Sequence, residues 1–61
     1  MKFIDDDEAI RFLAANGYTI SNKIIWHDHK GYFQVSDNEK DALNFLVKKY
    51  GYDIEKIWRQ V

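Results

Sequence analysis

Apolar positions along the chain switch from helical spacing to short strand-like runs and back again. Ala9, Ile10, Phe12 and Leu13 recur at helical intervals, with Arg11 on the other side. Ile24-Ile25-Trp26 and Tyr32-Phe33-Gln34-Val35 are short β-favouring runs around a polar tip. Ala42, Leu43, Leu46, Val47 and Tyr50 then return to a helical stripe, widened by Phe45. That succession predicts helix, hairpin, helix.

The helix boundaries are written in capping residues. Asp5 can accept from the free amides of a first turn, and Glu8 stands three residues later, where a capping box places its acid. Ile4 can staple onto Ala9, and the acids of the first turn meet the positive end of the helix dipole. Asn16-Gly17 supplies a left-handed stop, so the first helix is expected over Asp6–Ala15. Ser36 or Asp37 caps the second, in S-x-x-E with Glu39, and Gly51 ends it. Beyond it Asp53 can cap a short third helix, with Tyr52 stapled onto Ile57. Ile54, Ile57, Trp58 and Val61 would share its apolar face. Two turns alone would fray unless docked.

Between the helices, strands are expected at Lys23–His27 and Tyr32–Ser36, with Tyr18–Ile20 as a candidate third. Asp28-His29-Lys30-Gly31 suits a type I turn with Gly in the left-handed bulge position. That turn would put Ile25, His27, Phe33 and Val35 on one face and Ile24, Trp26, Tyr32 and Gln34 on the other. A tighter Lys30-Gly31 turn would instead group Ile24, Trp26, Phe33 and Val35. A one-residue slip exchanges the faces, and both registers stay open.

The two helical segments also echo one another. EAIRFLAANGYTI, from Glu8 to Ile20, matches DALNFLVKKYGYDI, from Asp41 to Ile54, with one inserted residue. Shared helix-ending grammar explains this more economically than duplication, since Gly before an apolar residue closes many helices. The echo nevertheless offers a competing reading of residues 19–27 as a helix capped by Thr19, which would outline a helix-turn-helix. The adjacent β-branched Ile24 and Ile25 weigh against it. The fold class is therefore α+β, one small domain over residues 1–61. Its expected order is helix, two- or three-stranded antiparallel hairpin or meander, helix, short C-terminal helix.

Composition narrows the functional classes. With 61 residues, a single core supplies only roughly 3–5 kcal/mol, and small domains usually add disulfides, a metal or a partner. There is no Cys, which makes self-association the natural supplement and fits a reducing compartment. Four acids at Asp5–Glu8 stand where a signal peptide needs an apolar run, so a soluble cytoplasmic protein without membrane contact is expected. Nine Lys/Arg against ten Asp/Glu leave a net charge of −1, with no global pull toward nucleic acid.

Candidate chemistry is sparse. His27 and His29 are two apart on an expected strand and could approach a metal together, but two ligands do not make a site. No nucleophile, phosphate loop or carboxylate pair accompanies them, so no catalytic residue, metal or cofactor is assigned and the chain is read as non-enzymatic. The binding residues expected at the hairpin are Trp26, His27, His29, Lys30, Tyr32 and Gln34. Aromatic and basic groups so placed suit a protein partner or a second copy. The alternative is a nucleic-acid accessory protein of winged-helix or helix-turn-helix type, stacking bases on the same aromatics.

Overall fold

A computed structural model describes residues 2–27 and 34–55. Helix α1 covers Asp6–Ala15, strand β1 Tyr18–Ser21 and strand β2 Ile24–His27. Helix α2 covers Asp37–Tyr50 and strand β3 Asp53–Ile54. The α+β class and the order helix, hairpin, helix are as expected.

Both helices begin where their caps dictate. The Asp5 carboxylate accepts from Glu8 N at 3.0 Å, while Glu8 Oε1 reaches back to Ile4 N at 2.8 Å. Ser36 Oγ accepts from Glu39 N at 3.3 Å, which settles the second cap on Ser36. Gly51 ends α2 in the left-handed region at φ 75, and Lys48 and Lys49 sit against the negative end of its dipole.

The candidate third strand at Tyr18–Ile20 is present as β1, and it, not Tyr32–Ser36, is the hairpin partner of β2. β1 pairs antiparallel with β2 across a two-residue turn, Asn22-Lys23, whose φ values of 52 and 64 are those of a type I′ turn. β3 then adds to the other edge of β2 in parallel, giving the order β1-β2-β3. Both edges of β2 are thus taken, which leaves none for the expected Tyr32–Ser36 arm. Of that arm, Tyr32 and Phe33 lie outside the described residues. Gln34 is in a 3₁₀ turn, and Val35 and Ser36 lead into α2 without strand pairing. The sheet is mixed, where an antiparallel meander was expected.

Asp53 is likewise a strand residue and not a helix cap. Its amide donates to Lys23 O at 2.8 Å and that of Glu55 to Ile25 O at 3.0 Å. A sheet edge satisfies these amides where a two-turn helix would have been marginal. Residues 56–61, the rest of the expected C-terminal helix, lie outside the described residues.

The echo in the sequence has a structural counterpart. α1, Gly17, Tyr18 and β1 are followed on the other side of β2 by α2, Gly51, Tyr52 and β3. β1 and β3 flank the same strand and run in opposite directions. Ala9 and Leu13 are fully buried, and so are their counterparts Ala42 and Leu46. The core joins these four to Phe3, Tyr18, Ile25, Val35 and Leu43. α1 packs on α2 and β1, and α2 on β3.

Candidate functional site

Alternation along β1 and β2 divides the sheet into two unlike faces. Tyr18, Ile25 and His27 are buried toward the helices. Thr19 and Ser21 point the other way, as do Ile24 and Trp26, and the register sets Thr19 beside Trp26 and Ser21 beside Ile24. Asp53 extends this row next to Ile24. The outer face therefore carries an apolar pair on its central strand, flanked by hydroxyls and one acid. Ile24 is 41% exposed and Trp26 is half-buried. Ile24, Asp53, Ile54 and Glu55 also line a shallow depression of about 210 Å³ at the β3 edge.

Of the residues expected to bind, Trp26 lies on this face and Gln34 is exposed ahead of α2. His29, Lys30 and Tyr32 fall outside the described residues. His27 is corrected: it is only 7% exposed and belongs to the interior. Its Nε2 lies 3.1 Å from Asn16 O, and since a carbonyl oxygen only accepts, that nitrogen carries a proton and is closed to a metal. The division of β2 follows the register that groups Ile25 with His27 and leaves Ile24 and Trp26 outside. Thr19, Ser21, Ile24 and Asp53 were missed. Their signal was the period-two alternation of Tyr18-Thr19-Ile20-Ser21, legible once that stretch is taken as a full partner strand.

Inside the sheet lies a polar cluster that sequence reasoning did not find. Glu39, 6% exposed, accepts from Tyr18 OH at 2.6 Å and from Ser36 Oγ at 2.8 Å. The Tyr18 ring meets the His27 ring edge-on at 4.8 Å. The capping acid of α2 is thereby tied to β1, and β1 to β2. Among the described residues every buried side-chain nitrogen and oxygen has a hydrogen-bond partner. A satisfied network of this kind specifies one packing of helix on sheet.

The helical alternative for residues 19–27 is replaced by two strands, so no recognition helix follows Gly17. Among the described residues no helix is long and apolar enough to cross a membrane, and no group of three metal-ligating side chains converges.

Comparison with known families matches residues 2–56 to the family described as Phage Pam3 gp59 related protein. The chain belongs to that family. Neither the characterised proteins nor the solved structures contain a significant match.

Proposed function

We propose that this member of the gp59-related family is a small non-catalytic protein-binding module that works as a homodimer, pairing two copies through the outer sheet face. The observation that carries the reading is the Ile24–Trp26 pair on the central strand, turned away from both helices. An apolar stripe in the middle of a sheet is self-complementary, because a two-fold axis along it sets each side chain against its own copy. Its flank on β1, Thr19 and Ser21, carries no charge, and on the β3 side Asp53 is the one acid beside it. A core of nine buried apolar residues among the described ones gives a chain of this size reason to bury more. The net charge of −1 does not favour duplex DNA, whose affinity rests on several phosphate contacts.

Sedimentation equilibrium on the wild type and on Trp26→Ala tests this. A dimer that dissociates in the variant, with the circular dichroism of the fold retained, is the expected result. A wild type that stays monomeric at high micromolar concentration overturns it.

A further inference from the structure

A further recess, sharing no lining residue with the sheet-edge depression, lies between the N-terminal segment and α2. It measures about 620 Å³ and is lined by Lys2, Phe3, Asp41, Asn44, Phe45, Lys48 and Lys49. Its volume falls in the range of ligand-binding clefts. Three lysines against one aspartate give it a local excess of two positive charges, in a chain that is acidic overall. The acids at the start of α1 line a separate depression with Ile4 and Arg11.

We infer that this groove is a docking site for an acidic peptide segment carrying an apolar side chain, contributed by a partner protein. Charge complementarity selects the acidic partner: Lys2 comes from the N-terminal segment and Lys48 and Lys49 from the last turn of α2, so carboxylates entering the groove meet cations from two elements. Phe3 and Phe45 supply an apolar wall. Asn44, exposed on α2, carries both a donor and an acceptor, the pair a peptide bond requires. Single-stranded nucleic acid fits less well. Phe3 is buried against Phe12 and Phe45, at ring separations of 5.6 and 6.1 Å, and the Lys49 ammonium sits 5.5 Å from the Phe45 ring centre. Neither ring presents the open face on which a base stacks. The groove is independent of the sheet face, so a dimer joined through Ile24 and Trp26 would offer it twice.

Fluorescence anisotropy at low salt tests the assignment, using a short labelled peptide of Asp and Glu around a single Phe. The expected result is saturable binding, weakened about tenfold by Lys48→Glu and by Lys2→Glu and unchanged by Lys40→Glu, a lysine of α2 outside the groove. Replacing the peptide's Phe by Ser should weaken binding as well. Three outcomes overturn the proposal: no binding by the wild type, equal weakening by Lys40→Glu, or equal affinity for the Ser peptide. Tighter binding of oligothymidine than of the peptide, lost in the same variants, would assign the groove to nucleic acid instead. A fall in oligomeric state in Lys48→Glu would assign it to a second copy.

Discussion

Two glycines that look alike in the sequence do different work. Gly17 and Gly51 both stand at positive φ, 90 and 75, where an L side chain is strained. A Cβ at Gly51 would meet nothing within 4 Å, whereas one at Gly17 would lie 2.7 Å from His27 Nε2. His27 cannot move aside easily, being buried and bonded to the Asn16 carbonyl. Gly51→Ala should therefore cost about 1 kcal/mol, the backbone penalty alone. Gly17→Ala should cost about 2–4 kcal/mol, the same penalty plus overlap in the interior. Urea titration of the two variants checks this, and equal losses would remove the ring contact from the explanation. Both glycines were legible as helix stops. That one also roofs a histidine was not, because the contact joins α1's end to β2.

At the scale of elements, the β1–β2 turn is the informative case. Lys23 occupies a left-handed position for which a type I′ turn prefers Gly. Its side chain supplies a reason: Nζ donates to Tyr50 O at 3.1 Å and lies 5.7 Å from the Tyr52 ring centre, tying the hairpin to the end of α2. Lys23→Gly relieves the backbone and loses the tie, so its stability should stay within about 0.5 kcal/mol of wild type. Lys23→Ala keeps the strain and loses the tie, and should cost about 1 kcal/mol. Thermal melts of the pair separate the two contributions. Asn22-Lys23 lacks the glycine that marks such turns, and Lys30-Gly31 has it. That difference drew the expected hairpin to the wrong side of β2.

At the scale of the whole molecule, stability rests on a few side chains that join the layers. Leu46 of α2 is fully buried in the core. Leu46→Ala should cost about 2–5 kcal/mol, comparable to the roughly 3–5 kcal/mol a core of this size supplies. Loss of most far-UV helical signal at room temperature is the expected outcome. Ile4→Ser, at a residue 81% exposed, should change stability by less than about 0.5 kcal/mol. A folded Leu46→Ala variant would mean that stability comes from elsewhere, with the proposed dimer the first place to look.

What the sequence determined by itself was local. Asp5, Glu8, Ser36, Glu39, Gly17 and Gly51 act on amides and carbonyls within one turn, so both helices stand where those residues put them. The α+β class followed from the change in hydrophobic period. Strand partnership was decided only in three dimensions. β2 could in principle pair with residues on either side, and the choice depends on which edges the two helix-ending units bring to it. That choice sent His27 inward beside Tyr18 and Glu39 and left Ile24 and Trp26 on the outer face. A strand's own residues set only the alternation; the layer packed against it decides which half faces the partner.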